Sequence, residues 1–173
     1  YQEKGSFISP HEVRAGKHTL KSKTIIIATG TVADQYPISG LDEAGFITSD
    51  HALEIRDMPQ SMIVLGAGPV AVELAQFFCR VGVAVTLIQR SGYILSGTDE
   101  DLARPVEARL REEGMKVYTG TQLKGVTIRG GMRTVHFLHS REEKSVTGEL
   151  IFQALGRKPL TQELNLEAAG VSA

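Results

Sequence analysis

The centre of the chain has the most regular pattern of apolar and polar positions. Residues 61–65 form an apolar run that predicts a buried strand, and residues 83–89 form a second run, rich in β-branched side chains. Between them, apolar side chains recur at helical spacing over residues 69–81, and Gly82 follows as a stop signal. A strand, a helix and a second strand within about 30 residues predict a βαβ unit.

The segment before this unit has a weaker pattern, which predicts a small β-meander. Turn residues separate its short β-like runs, which lie at 6–8, 12–14 and 18–20. The apolar run 23–28 then predicts a buried strand. From residue 31 to 59, prolines and glycines interrupt the pattern, and the one helical candidate is 50–56. We interpret this stretch as a linker.

The segment after the unit predicts a further helix and several strands. The helix covers about residues 99–113, with inward-facing positions at Leu102, Val106 and Leu110. The predicted strands are 116–119, the hairpin pair 123–129 and 134–139, and a last buried strand at 149–154. The hairpin encloses Gly130 and Gly131 in a loop longer than the tightest turns, and the charged residues 141–144 predict a solvated turn. The fold class is therefore α/β, a Rossmann-like parallel sheet with a β-meander.

Composition and charge narrow the classes of partner. Hydrophobic residues make up 42% of the 173 residues and charged residues 23%, values typical of a folded globular protein. A formal net charge of -1 without a basic block argues against a nucleic-acid or membrane partner, and no apolar run approaches the roughly 20 residues of a bilayer span. The single cysteine, Cys79, excludes an internal disulfide and is compatible with a cytoplasmic location.

The loop Gly66-Ala67-Gly68-Pro69-Val70-Ala71 is the pattern that points to chemistry. It follows an apolar strand and opens an amphipathic helix, which is the context that dinucleotide binding requires. Gly66 allows the tight turn, Gly68 allows the backbone to approach a diphosphate, and Ala71 allows close packing of helix and strand. We therefore predict that the dinucleotide contacts Gly66, Gly68, Pro69, Val70 and Ala71, with its phosphates at the helix N-terminus.

The end of the second strand bears on the choice of dinucleotide. It continues as Gln89-Arg90-Ser91, without the acid that commonly accepts hydrogen bonds from an adenosine ribose. Arg90 offers a guanidinium to a 2′-phosphate, with the Ser91 hydroxyl beside it, which favours NADP(H). In the alternative, Arg90 is a solvated charge and the Gln89 amide binds the ribose of NAD(H).

Several segments together resemble one protein family. The chain resembles the flavin-dependent pyridine nucleotide-disulfide oxidoreductases, such as dihydrolipoyl dehydrogenase, glutathione reductase and mercuric reductase. The resemblance rests on segments 28–30, 48–50, 65–75 and 154–159 and on the run 165–171. It implies an FAD domain interrupted by an NAD(P) domain. The implied parts are a partial FAD-domain segment (1–47), a linker (48–60), the NAD(P) domain (61–155) and a segment returning toward the FAD domain (156–173).

The resemblance also implies roles for individual residues. Thr29 and Gly30 would pass near the flavin, and Gly156 and Arg157 would lie where the chain returns toward it, near the nicotinamide. Glu73 matches a family glutamate that reaches the nicotinamide–flavin contact and pairs with a lysine, although that lysine belongs to a segment not present here. Pro69 replaces a bulkier gating residue, and Arg90 matches an arginine of NADPH-using members.

Three family features are missing from the sequence, namely the FAD-binding glycine motif, the cysteine pair and the dimerisation domain with its His-Glu pair. The resemblance therefore implies a piece of a longer, homodimeric enzyme that transfers hydride between NAD(P)H and FAD, and then reduces a disulfide-type or metal substrate. We expect no catalytic residue and no turnover in this piece alone. A free-standing nucleotide-sensing module is the alternative.

Overall fold

The structure is a computed structural model that describes residues 2–34 and 36–172. In chain order its strands are β1 (Gly5–Ser9), β2 (Glu12–Ala15), β3 (His18–Lys21), β4 (Thr31–Ala33), β5 (Ser61–Leu65), β6 (Ala84–Ile88), β7 (Lys116–Tyr118), β8 (Thr121–Arg129), β9 (Met132–His139), β10 (Glu142–Gly148), β11 (Leu150–Gln153) and β12 (Arg157–Pro159). The α-helices are α1 (Leu41–Ala44), α2 (Ser49–Ala52), α3 (Pro69–Arg80) and α4 (Glu100–Glu112). A 3₁₀ helix covers Leu166–Ala169.

The chain divides into two units. The central unit covers residues 33–156, and the terminal unit combines the segments before residue 33 and after residue 156. In the terminal unit, β1, β2 and β3 form the predicted antiparallel meander. The 3₁₀ helix is joined to this meander, because the Phe7 N–H donates to the Leu164 carbonyl at 2.8 Å and the Asn165 amide donates to the Phe7 carbonyl at 3.0 Å.

A parallel four-stranded sheet organises the central unit, with strand order β11-β5-β6-β7. Helix α3 connects β5 to β6 and helix α4 connects β6 to β7, which confirms the predicted βαβ unit. The helices bury their apolar faces on one side of the sheet, where Ala71, Ala75 and Phe78 of α3 and Leu110 of α4 pack with Val64 of β5. Burial on both faces accounts for the continuous apolar character of the strands.

A second, antiparallel sheet covers the other face of the parallel one. It has the order β10-β9-β8, and its Val126, Val135 and Phe137 pack against Ile63 of β5 and Ile151 of β11. Arg133 fastens this sheet to its surroundings, since its guanidinium donates hydrogen bonds to the backbone carbonyls of Ala44, Gly45, Gly131 and Glu149. The central unit is therefore a three-layer arrangement of helices, parallel sheet and antiparallel sheet.

Two predictions for the second half of the chain are wrong. The hairpin loop between β8 and β9 has only two residues, Gly130 and Gly131, because both adopt the positive φ angles that a tight type I′ turn needs. Residues 141–144 do not form a simple turn, since β10 begins at Glu142 and pairs with β9. Ser140 and Arg141 make that second turn, also at positive φ. Both faces of β10 carry charged side chains, so its sequence lacks the alternation of apolar and polar residues that predicts a strand.

Three other predictions need correction. Residues 23–28 form no strand, and Ile26 is 85% exposed, because no strand in the described part of the chain pairs with this run. The helix predicted at 50–56 is confined to the single turn of α2. Leu102 of α4 is 63% exposed and Ala103 is buried in its place, whereas Leu110 is buried and Val106 packs against the core as predicted.

Candidate functional site

The turn after β5 brings the glycine loop to the carboxyl edge of the parallel sheet. The Gly66 N–H donates to the Ile88 carbonyl at 2.9 Å, which ties the turn to the neighbouring strand β6. Gly66 has a φ of +102°, and a Cβ there would collide with the carbonyl oxygen of Ala154. Only glycine is compatible with both constraints.

Helix α3 then begins directly at the loop. Gly68 is its N-cap in an extended conformation, with Pro69 as the first helical residue, and the Val72 N–H closes the first turn on the Gly68 carbonyl at 3.0 Å. The N–H groups of Val70 and Ala71 belong to that first turn and therefore have no acceptor within the helix. A Cβ at Gly68 would meet nothing within 4 Å, so the space above its backbone is open.

The end of β6 supplies Gln89, Arg90 and Ser91, which the main chain holds in place. The Gln89 N–H donates to the Tyr118 carbonyl at 2.7 Å, and the Gly120 N–H donates to the Ser91 carbonyl at 2.7 Å. The Arg90 side chain is exposed and makes no ion pair or hydrogen bond with the described residues. Its guanidinium therefore remains available to a ligand.

These segments line a cleft of about 470 Å³, which is within the range of small-molecule and cofactor sites. Its lining residues are Tyr36, Pro37, Ile38, Gly66, Ala67, Gly68, Gln89, Arg90, Ser91, Ser96, Gln122, Leu123, Ala154, Leu155 and Gly156. Among these residues Arg90 carries the one formal charge and none bears a carboxylate. The electrostatic character of the cleft therefore favours an anion.

The cleft brings together six of the predicted site residues, Gly66, Gly68, Gln89, Arg90, Ser91 and Gly156. Pro69, Val70 and Ala71 form the first turn of α3, and Glu73 lies exposed in its next turn. Thr29, Gly30 and Arg157 belong to the terminal unit. There the Thr29 hydroxyl donates to the Leu160 carbonyl at 2.7 Å, and Arg157 donates to the Thr31 hydroxyl at 2.7 Å.

Sequence reasoning missed one wall of the cleft, which consists of Tyr36, Pro37 and Ile38. The segment lies about 30 positions before the glycine loop in a stretch interpreted as a linker, and it has no periodic pattern. The sequence contained one signal for this side of the cleft, namely the apolar run of β11 followed by Ala154 and Gly156. The segments that follow adjacent strands of a parallel sheet meet at the same edge of that sheet. A strand beside β5 therefore brings the residues that follow it next to the glycine loop.

A cluster of ion pairs lies outside the cleft, at the amino edge of the sheet. Glu113 follows α4, and its carboxylate accepts two hydrogen bonds from Arg80, at 2.7 and 2.9 Å, one from Arg109 at 2.9 Å and one from Gln76 at 3.1 Å. The Arg80 hydrogen bonds lower the pKa of Glu113 to about 2, with Gln76 and Arg109 contributing. Burial, with the Glu113 charge, raises the pKa of the neighbouring Cys79 thiol, whose Sγ donates to the Glu113 carbonyl.

A parallel sheet with a glycine turn and a helix N-terminus at its carboxyl edge defines an α/β fold of the class that binds ligands at that edge. The chain belongs to the pyridine nucleotide-disulphide oxidoreductase family, whose profile matches residues 1–173. No helix within residues 2–34 and 36–172 combines the length and apolar character of a membrane span.

Individual relatives agree with this family. The chain is 34% identical to a mercuric reductase of Staphylococcus aureus over 166 residues, which is 96% of the chain and 30% of that protein. It is 31% identical to a mitochondrial dihydrolipoyl dehydrogenase of Pisum sativum, covering 96% of the chain and 35% of that protein. The solved structure of the HOCl-induced flavoprotein disulfide reductase RclA of Escherichia coli superposes with a TM-score of 0.81 at 25% identity, covering 98% of the chain and 39% of that structure. The chain thus spans about a third of the length of the relatives it matches.

Proposed function

We propose that the cleft of the central unit binds a nicotinamide dinucleotide, with NADP(H) preferred over NAD(H), as part of an FAD-dependent oxidoreductase. The observation that carries this proposal is the open space at Gly68, at the N-terminus of α3, in a cleft whose one charged lining residue is Arg90. Family membership supports the oxidoreductase class.

Each part of the cleft has a role in this proposal. The first-turn N–H groups of Val70 and Ala71 donate to the diphosphate, and the α3 dipole adds to the attraction. Arg90 and Ser91 bind the 2′-phosphate of the adenosine ribose, and Gln89 donates its amide to the same ribose. The absence of a carboxylate from the lining avoids repulsion of the phosphates.

The bound nicotinamide supplies a hydride donor, and the residues of this chain bind it and orient it. In the whole protein FAD would accept this hydride. We assign the terminal unit to the FAD domain, with Thr29, Gly30 and Arg157 on the flavin side, and Glu73 to the contact between nicotinamide and flavin. The domain boundaries predicted from the sequence, 1–47, 48–60, 61–155 and 156–173, stay a prediction. The first of them assigns residues 33–47 to the FAD domain, whereas in the structure these residues belong to the central unit. A disulfide-type or metal substrate accepts the electrons, as the names of the mercuric and disulfide reductase relatives indicate for those proteins.

Calorimetry on the 173-residue chain tests the choice of dinucleotide. We expect NADPH to bind about tenfold or more tightly than NADH, and Arg90→Ala to remove this difference, because a charge-assisted contact to the 2′-phosphate is lost. Arg129→Ala is the matched control, since Arg129 is an exposed arginine of β8 outside the cleft lining. Equal affinities that Arg90→Ala leaves unchanged would contradict the NADP(H) assignment.

A further inference from the structure

The order of strands assigns the two halves of a dinucleotide to different walls of the cleft. The glycine loop follows β5, the residues Gln89 to Ser91 follow β6 on one side, and Ala154 to Gly156 follow β11 on the other side. A ligand whose diphosphate lies on the loop therefore extends its adenosine over the end of β6 and its second nucleoside over the end of β11. The wall beside β11 is the one that includes Tyr36.

Tyr36 lies directly above the residue that ends this wall. Its hydroxyl is 3.5 Å from the position that a Cβ at Gly156 would occupy, and its ring is 3.9 Å from the same point. The Tyr36 side chain is 42% exposed and lines the cleft. Within the part of the chain that the structure describes, its hydroxyl has no hydrogen-bond partner.

Hydrogen bonds join Asp34, two positions before Tyr36, to β11 and to the segment that follows it. The Asp34 N–H donates to the Gly156 carbonyl at 2.9 Å, and the buried Gln153 amide donates to the Asp34 carbonyl at 2.7 Å. On the other side, the Ile38 N–H donates to the Tyr36 carbonyl at 2.8 Å across Pro37, which is a three-residue turn whose central φ proline favours. The anchored Asp34 and the turn of Tyr36, Pro37 and Ile38 therefore lie on the same side of the cleft as the end of β11.

We propose that Tyr36 is a binding residue for the nicotinamide half of the dinucleotide, with its hydroxyl hydrogen-bonded to the ribose that carries the nicotinamide. This inference rests on the proposed function, because it needs a diphosphate on the glycine loop. A ribose presents hydroxyl groups that both donate and accept, and a tyrosine hydroxyl can do the same. The hydroxyl also orients the nicotinamide ring, because the ring is attached to that ribose.

A series of three ligands with Tyr36→Phe tests this role. The first ligand, 2′,5′-ADP, lacks the second ribose; the second, 2′-phospho-ADP-ribose, has that ribose without nicotinamide; the third is NADPH. We expect Tyr36→Phe to leave the affinity for 2′,5′-ADP within about twofold and to weaken binding of the other two ligands about three- to tenfold, the effect of one lost hydrogen bond.

Tyr118→Phe is the matched control, because it removes the same atom from a half-buried tyrosine outside the cleft lining and keeps the backbone carbonyl that accepts from the Gln89 N–H. We expect it to leave all three affinities unchanged. The inference is overturned if Tyr36→Phe weakens all three ligands equally or changes none of them while the unmodified chain binds NADPH. If the unmodified chain binds none of the three ligands, the proposed function itself fails.

Discussion

The arginine side chains at the two edges of the parallel sheet differ in whether they have an ion-pair partner. At the amino edge, Arg80 and Arg109 converge on the carboxylate of Glu113, and each of these charges has a partner. At the carboxyl edge, Arg90 has no partner among the described residues and lines the same cleft as Gly68. Paired charges hold helix ends in place, whereas a cation left free beside helix N–H groups is available to an anionic ligand. The contrast separates the edge of the sheet that stabilises the fold from the edge that we propose binds the dinucleotide.

Substitutions of the two glycines of the loop have the largest expected effect on stability and on binding. They extend the comparison to a single edge, where one glycine is needed for the fold and the other for the ligand. Gly66→Ala should lower the free energy of unfolding by on the order of 4 kcal/mol, because it adds strain at positive φ and a collision with the Ala154 backbone. Gly68→Ala should change stability by less than about 1 kcal/mol, because its extended conformation accepts alanine.

Urea unfolding and NADPH calorimetry on both variants provide the measurements. We expect Gly68→Ala to weaken NADPH binding about tenfold or more, because its methyl group occupies the space that the diphosphate needs. Equal loss of stability in the two variants, or full NADPH affinity in Gly68→Ala, would contradict the division of roles within the loop.

The second prediction concerns the helices that cover the sheet. Leu110→Ala in α4 should lower the free energy of unfolding by about 3 kcal/mol, because it opens a cavity at a side chain that is fully buried. Leu102→Ala in the same helix is the matched control and should cost less than about 0.5 kcal/mol, since Leu102 is exposed. Similar costs for the two variants in urea unfolding would show that the buried face of α4 is wrongly assigned.

The smallest expected effect depends on pH and tests the amino edge. Glu113 has an ordinary pKa of 4.5 and a folded-state pKa of about 2, so its carboxylate stabilises the fold above about pH 4.5. This contribution is lost as the pH falls from about 4.5 toward about 2. Glu113→Gln should therefore be less stable than the unmodified chain at pH 7, and the difference should shrink in urea unfolding at pH 3. If the stability difference between Glu113→Gln and the unmodified chain is the same at pH 7 and pH 3, the arginine contacts of Glu113 are not its source.

The βαβ unit could be predicted because its signals are local. Strand, glycine loop, helix and second strand follow one another, and their periods of apolar residues differ clearly. The phosphate-loop half of the candidate site was therefore visible in the sequence. Strand β10 was not, because its charged residues resemble those of a turn, and its pairing with β9 depends on the conformations of Ser140 and Arg141.

The wall formed by Tyr36, Pro37 and Ile38 could not be predicted for a different reason. Its place beside the glycine loop depends on hydrogen bonds across more than a hundred positions, such as the one from Gln153 to Asp34. A contact between positions so far apart produces no local pattern in the sequence. The run 23–28 shows the opposite error, because its composition is that of a strand but pairing requires a neighbour, and Ile26 is exposed instead.

The position of β11 has a consequence for the stage of synthesis at which the cleft is completed. The strand pairs with β5, from which it is separated by more than 80 residues, and the Ala154 N–H donates to the Leu65 carbonyl at 2.8 Å beside the glycine loop. During synthesis, which proceeds from the N-terminus, β5 and α3 emerge long before β11 can join them. Contacts over such separations form slowly. The cleft therefore gains its second wall late, and a nascent chain completes the candidate site only after residue 156 has emerged.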